Sequence, residues 1–238
     1  MRPTLRFERD LLRRGHATVA GIDEVGRGAI AGPVAVGVVV IDGRTRTAPK
    51  GLRDSKLLSP AQRQSLDPRL RRWSLEHAVG SSGPDEIDRW GLITALRLAA
   101  LRALEQVGSI GAVILDGSHD WLTAPAQSEL DLGPAIPWPR VSVPIVHRVV
   151  KGDRSCSTVA AASVIAKVTR DAEMGELAVR DRRYGWDVNK GYSTADHNAA
   201  IRRWGLCEQH RRSWTVASAA SVDLSEFHSP PSQTVVPS

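Results

Sequence analysis

Apolar runs of strand length open the chain. Thr18–Asp23 is a short apolar run ending on acidic residues and Val34–Ile41 is Val-rich, so each predicts a strand, the second of them buried. Asp42-Gly43 turns the chain, Leu52–Ser59 reads as a polar loop, and Pro60–Asp67 reads as a short helix. Alternation over Arg72–Val79 predicts a third strand, and the three strands suit an antiparallel meander. From Asp85 the period changes: Ile87, Trp90, Ile93, Leu96, Leu101 and Leu104 recur near helical spacing with Ala between them, predicting one long helix. Ala112–Leu115 and Val141–Val149 predict two more strands, the latter broken near its start by Pro144. Strand, helix and strand imply a parallel crossover added to the meander. Thr158–Thr169 is an Ala-rich helix, and Asp171–Arg182 and Thr194–Arg203 continue the helical pattern around a turn-rich Tyr184–Gly191. Four prolines between Asp120 and Arg140 predict a long irregular loop, and the Ser-, Ala- and Pro-rich segment after Ser213 reads as a flexible tail.

Composition narrows the class. A chain of 238 residues can bury a sizeable core, and its 42% hydrophobic content excludes collagen and disulfide-scaffold readings. Two cysteines, Cys156 and Cys207, lack the Cys-x-x-Cys spacing of zinc or redox sites and suit a reducing cytoplasm. Residues 1–15 mix arginines with Glu8 and Asp10 and contain no signal-like apolar core; the most apolar stretch, Ala29–Ile41, is short and broken by Gly and Pro. A cytoplasmic protein without membrane attachment is therefore expected. Of the formal charge of +6, all lies between Arg140 and Arg212, which holds 14 Lys/Arg against 8 Asp/Glu; the rest of the chain has 18 of each. That concentration suits a polyanionic partner.

Carboxylates recur at strand ends. Asp23-Glu24 follows one apolar strand, Asp116 follows another, and Asp153 precedes the Ala-rich helix. Taken singly, Asp116-Gly117 is also an ordinary turn and Asp153 an ordinary helix cap. Together, four carboxylates need a cation or protons, and an oxygen-only set without a Cys or His ladder favours Mg²⁺ or Mn²⁺ over Zn²⁺. A two-metal arrangement of that kind hydrolyses phosphodiesters with an activated water.

An ordered set of motifs then runs from Val19 to Trp214. It comprises Gly21-Ile22-Asp23-Glu24-Val25-Gly26-Arg27-Gly28, Gly32-Pro33-Val34, Asp54-Ser55-Lys56, Leu115-Asp116-Gly117 and Lys151-Gly152-Asp153. Ala161 through Asp171, Gly191-Tyr192-Ser193-Thr194, His197 and His210 through Trp214 complete it. In this order the chain resembles the bacterial ribonuclease HII family. The resemblance implies an α/β fold with a ribonuclease H-like mixed five-stranded sheet flanked by helices and a C-terminal helical region. Residues 1–17 would be an N-terminal extension, 18–170 the catalytic core, 171–214 the substrate-binding region and 215–238 the tail. It implies an endonuclease that hydrolyses RNA in RNA/DNA hybrids and nicks on the 5′ side of ribonucleotides embedded in duplex DNA, leaving 3′-hydroxyl and 5′-phosphate ends. Asp23, Glu24, Asp116 and Asp153 match its catalytic and metal-binding carboxylates, with Mn²⁺ or Mg²⁺ as cofactor.

The resemblance also places Gly26, Arg27, Gly28 and Tyr192 at the ribonucleotide, with Lys56, Ser163, Lys167 and Arg170 as further substrate contacts. Glycines admit close backbone approach to a sugar whose 2′-hydroxyl distinguishes RNA from DNA. Taken alone, Arg27 in a tight turn, Tyr192 after Gly191 and Ser163 on a helix equally suit solvent contact or packing. Leu57, Gly91 and Ser118 stand where the family more often has Lys, Asn nearby and Asn, which touches secondary contacts and leaves the four acids intact. A ribonuclease HIII-like protein would have an added N-terminal domain, and a noncatalytic hybrid binder would have lost acidic ligands. The expected partners are hybrid and ribonucleotide-containing duplex, bound by a monomer.

Overall fold

The computed structural model describes residues 2–123 and 136–214. Its centre is one five-stranded sheet in the order β3-β2-β1-β4-β5, formed by β1 (Thr18–Val25), β2 (Val34–Asp42), β3 (Glu76–Ser82), β4 (Ala112–Asp116) and β5 (Ile145–Val149). β1, β2 and β3 pair antiparallel, as the meander predicts, while β4 and β5 pair parallel beyond β1. This is the mixed five-stranded sheet expected, flanked by helices on both faces.

Residue alternation assigns the faces. Ala20, Ile22, Val36, Val38, Val113 and Leu115 pack with helix α4 (Leu92–Leu104) in the largest core cluster. The opposite face receives α6 (Ser157–Arg180), and there the sheet is stripped to glycine: a Cβ on Gly21 would lie 2.4 Å from Thr158, and one on Gly37 2.5 Å from the Ala162 carbonyl oxygen. Small residues on both partners thus bring the helix backbone onto the sheet beside Asp23, which pairs with Gly37. Either glycine replaced by alanine would push α6 away.

Several boundaries differ from the sequence pattern. Helix α2 runs Pro60–Trp73, beyond the expected Asp67, because Ser59 and Gln62 close a capping box and Leu66 and Leu70 bury one turn apart. The third strand accordingly starts at Glu76 rather than Arg72. The single helix expected from Asp85 is two, α3 (Pro84–Trp90) and α4, parted by Gly91 at φ +80°. The helical pattern expected over Thr158–Thr169 and continued over Asp171–Arg182 forms one helix ending at Arg180, in which Arg170, Met174 and Ala178 continue a buried stripe at four-residue spacing. The last strand begins at Ile145, after Pro144.

An N-terminal helix α1 (Arg6–Arg13) lies where only an extension was expected. A one-turn helix α5 (Gly152–Ser155) carries Asp153, and the Ala-rich helix starts at Ser157, one residue before the expected Thr158. Short helices α7 (Trp186–Asn189) and α8 (Ala195–Trp204) pack against the C-terminal part of α6. Among the described residues no helix is long and apolar enough to cross a membrane. Residues 124–135 of the Pro-rich loop, and the expected tail, lie outside the described residues; Trp121 and Leu122, at the loop's start, are core.

Candidate active site

Two strands, β1 with Asp23 and Glu24 and β4 with Asp116, and the short helix α5 with Asp153 bring the predicted carboxylates to the same edge of the sheet. Parallel pairing of Ile22 with Leu115 carries the next residues, Asp23 and Asp116, alongside each other on the α6 face. Lys151, at φ 59°, turns the chain sharply so that the Gly152 N–H donates to Asp116 Oδ1 at 2.7 Å, which delivers Asp153 beside it. Glu24 leans to Arg27, 3.4 Å away.

These acids feel one another. Burial raises the Asp23 carboxyl well above its ordinary range, and the charges of Glu24 and Asp116 add to this against a hydrogen bond from Ser163. Burial also raises Glu24, with Arg27 opposing and Asp116 adding. Asp153 is raised to about 6 by burial, then by Asp116 and Asp54. Burial pulls the Lys56 ammonium down, yet Asp23, Asp54, Asp153 and Glu24 outweigh it and hold the lysine above its usual value. The donor set is all oxygen and short of positive charge, which fits a hard divalent cation. Among the described residues no three carboxylates have converged into a closed metal cage.

Asp54, in the Asp54-Ser55-Lys56 motif, joins these carboxylates without an expected role. It is 1% exposed; Oδ1 accepts from the Lys56 N–H at 2.9 Å, while Oδ2 has no hydrogen-bond partner among the described residues and lies 3.7 Å from Arg154. The next residue explains Ser163. Its Oγ lies 2.7 Å from Ser55 Oγ inside the protein and its hydroxyl hydrogen-bonds Asp23, so Ser163 positions a carboxylate from within the core.

The Gly26-Arg27-Gly28 turn is built on two buried arginines. Arg211 donates to the carbonyls of Gly26 at 2.8 Å, Arg27 at 3.2 Å and Gly32 at 3.0 Å; Arg170 donates to those of Pro33, Lys190 and Ala31. A Cβ on Gly26 would strike the Arg170 guanidinium at 2.2 Å, whereas one on Gly28 would meet nothing within 4 Å. Gly28 therefore faces open space. Arg170, expected at the substrate, is fully buried with its donors taken by carbonyls, and it acts as a scaffold. Arg211 had no predicted role; its carbonyl partners lie about 180 positions away in sequence, which no local pattern reveals.

The backbone just beyond that turn is tied to the Gly191-Tyr192 segment. Ile30 and Ala31 N–H groups both donate to the Gly191 carbonyl, at 2.8 and 3.1 Å, and Gly191 sits at φ +81° with no room for a Cβ against Ala31. Tyr192 follows, half-buried, its ring centroid 5.5 Å from Lys167 Nζ and 5.6 Å from Arg170 Cζ. Lys167 is also paired with Asp171 at 2.7 Å. A cavity of about 460 Å³ opens beside the ring, lined by Arg63, Lys167, Asp171, Lys190 and Tyr192.

Behind Tyr192 lies a pair of neutral histidines. The Tyr192 carbonyl only accepts, so His197 Nδ1, 2.9 Å away, carries the hydrogen; His197 Nε2 then accepts from Trp186 Nε1 at 3.1 Å and from His210 Nε2 at 3.2 Å. His210 Nδ1 accepts from the Cys207 N–H at 3.0 Å. Burial, then His197, pushes His210 down to about 4, and burial lowers His197. An unfolded chain binds a proton on each ring below about 6.5, which the folded chain resists at both and at His210 refuses until about 4, so the His210 contribution to stability is complete above about pH 6.5 and is lost as pH falls toward 4. The raised carboxylates oppose that trend. Urea unfolding at pH 7.5 and 5 should therefore give a pH-dependent loss in wild type that is smaller in His210→Gln; an identical loss in both would remove the histidines from the account.

A mixed sheet with carboxylates at the ends of adjacent central strands, covered by a small-residue helix, defines a ribonuclease H-like phosphodiester hydrolase. The ribonuclease HII family model matches residues 20–217. The Streptomyces griseus ribonuclease HII is 46% identical over 222 residues, covering 91% of this chain and 86% of that protein. The chain belongs to the ribonuclease HII family, whose members are metal-dependent endoribonucleases of the ribonuclease H type. Among solved structures, ribonuclease H2 from Pyrococcus horikoshii superposes with a TM-score of 0.63 at 26% identity over 85% of this chain and 95% of that one. Bst-RNase HIII in complex with Mn²⁺ shares the fold with a TM-score of 0.63 at 22% identity, over 88% of this chain and 71% of that one.

Proposed function

We propose that this ribonuclease H endonuclease nicks duplex DNA on the 5′ side of single embedded ribonucleotides as well as hydrolysing the RNA strand of hybrids, leaving 3′-hydroxyl and 5′-phosphate ends. The observation carrying this reading is that the Gly191 carbonyl accepts from Ile30 and Ala31, two and three residues beyond the Gly26–Gly28 turn, and that this turn begins at the residue after Val25 in the strand carrying Asp23 and Glu24. A sugar read by that pair lies next to the carboxylates. Asp23, Glu24, Asp116 and Asp153 would hold divalent cations, either Mn²⁺ or Mg²⁺. Once bound, such cations neutralise phosphate oxygens and lower the pKa of water to generate a nucleophile.

The protein's own residues do the rest. Gly28 leaves its peptide group open to a 2′-hydroxyl, and Arg27 lies exposed beside Glu24. Tyr192 offers a ring face to the neighbouring sugar, and Lys56 and Lys167 meet phosphate, Lys56 on the carboxylate side and Lys167 beside the ring. Residues 171–214 form the substrate-binding region, anchored to the core through Arg170 and Arg211. Dialysed protein should be inactive on a fluorescent RNA/DNA hybrid in chelator and recover on titration with Mn²⁺ or Mg²⁺. Undiminished cleavage in chelator would overturn the metal assignment.

A further inference from the structure

Counting charge along the chain hides a second basic surface, because outside Arg140–Arg212 the acids and bases cancel. The structure separates them. On α1, Leu11 and Glu8 are buried, as is Leu5 just before it, whereas Arg6, Arg9 and Arg13 are exposed together with Arg2. Glu8 contributes nothing to the outer face: its carboxylate is inside, accepting from the Thr158 N–H at 2.9 Å and the Thr158 hydroxyl at 3.0 Å at the start of α6. Asp10 is engaged by Arg14 at 2.6 Å and Arg13 at 3.6 Å. Among the described residues Arg6 and Arg9 have no carboxylate within 4 Å, and Arg2 reaches only the Ala48 carbonyl at 3.5 Å.

The adjoining loop adds to this face. Arg44, Arg46, Lys50 and Arg53 are all exposed on the connection that leaves β2, lines a groove together with α1 through Thr47 and Ala48, and ends in Asp54-Ser55-Lys56 at the catalytic edge. Asp42, its acidic neighbour, is occupied by Thr45 and the Arg44 N–H. Two grooves border the helix, of about 630 Å³ beside Thr47 and Ala48 and about 720 Å³ beside Val149 and Ser155. Like charges crowded on one short helix repel, and among the described residues Asp10 offsets this only for Arg13 and Arg14, leaving Arg6 and Arg9 without a carboxylate partner.

α1 is also held in register with the site. Thr4 bridges to Cys156, with its N–H donating to the Ser155 carbonyl at 3.0 Å and its carbonyl accepting from Ser157 at 3.1 Å. Those residues directly follow Asp153. We propose that the exposed arginine face of α1 and the 44–53 loop form a second phosphate-binding surface, which holds the backbone of the duplex arm that extends beyond the cleaved nucleotide. The inference rests on the proposed nucleic-acid substrate and extends its footprint. Guanidinium groups on a fixed helix match phosphates, and they offer no base readout. A lipid surface is disfavoured because the outer face carries Phe7 as its only large apolar side chain among the described residues of α1.

The test compares wild type with Arg2→Gln/Arg6→Gln/Arg9→Gln and with Arg6→Lys/Arg9→Lys in the full chain. Fluorescence anisotropy would follow binding, over a salt titration in Ca²⁺, to two duplexes with one central ribonucleotide, of about one and about three helical turns. The Gln variant should lose about tenfold in affinity for the long duplex, with a salt slope shallower by about 2 to 3, and change less than about twofold on the short one. The Lys variant should keep most of the slope, and both should cleave the short duplex at the wild-type rate. Unchanged affinity and slope on the long duplex, or equal losses on both lengths, would overturn the proposal. A Gln variant impaired only toward an acidic polypeptide would reassign the surface and overturn it too. Wild-type protein that cleaves yet binds both lengths alike overturns this surface alone; wild-type protein that binds neither overturns the substrate reading as well.

Discussion

Asp116→Asn should abolish most turnover while leaving the protein folded, with single-turnover cleavage falling by about 10³-fold or more, equivalent to about 4 kcal/mol of barrier. The amide keeps an oxygen that can accept from the Gly152 N–H, so the turn delivering Asp153 survives. What disappears is charge. Asp116 is one of the causes raising Asp23, Glu24 and Asp153, so its neutralisation relieves repulsion among three neighbours. The variant should therefore unfold at an equal or higher temperature than wild type in chelator and gain less stability on adding Mn²⁺, because a weaker ligand set shifts the folding equilibrium less. Wild-type turnover by this variant across an Mn²⁺ and Mg²⁺ titration would remove Asp116 from the site.

Tyr192→Ala should separate substrates. Losing the ring leaves the backbone carbonyl still bonded to His197, so the turn is retained and the melting temperature changes little. A single ribonucleotide in DNA offers only one place where sugar recognition and carboxylates coincide, while a long hybrid offers many registers. Misplacement by a fraction of an ångström raises the chemical barrier even with metal bound, so a loss of about 10²-fold is expected on the single-ribonucleotide duplex and about tenfold on the hybrid. Among the described residues the Tyr192 hydroxyl has no hydrogen-bond partner, and Tyr192→Phe should keep most activity. Equal losses on both substrates for the Ala variant would defeat differential recognition.

The carboxylate positions were legible because local pattern and position coincide: an apolar run that stops at Asp23 or Asp116 marks a strand end, and the sheet topology then sets both on one face. Element junctions were harder. Gly91 breaks a helix whose apolar periodicity continues across it. Roles of buried charged residues were hardest to read. Arg170 and Arg211 look like substrate-facing bases in a basic segment, yet their partners are carbonyls on the far side of the sequence, and burial is a property of the assembled fold. Asp54 was hidden in a similar way, since beyond its local bond to the Lys56 N–H it meets Arg154 only once α5 is brought beside it. The outer face of α1 escaped because Glu8 counts as a charge in composition but lies inside.

The central claim is that ribose recognition and the carboxylates act as one unit, and mapping the ends produced from a duplex with one ribonucleotide tests it most directly. With Mn²⁺ or Mg²⁺, the account predicts a single nick on the 5′ side of the ribonucleotide, a 3′-hydroxyl and a 5′-phosphate at the break, and no cut in the matched all-DNA duplex. Cleavage of both duplexes alike, or an intact ribonucleotide-containing strand under conditions where a long hybrid is hydrolysed, would contradict it.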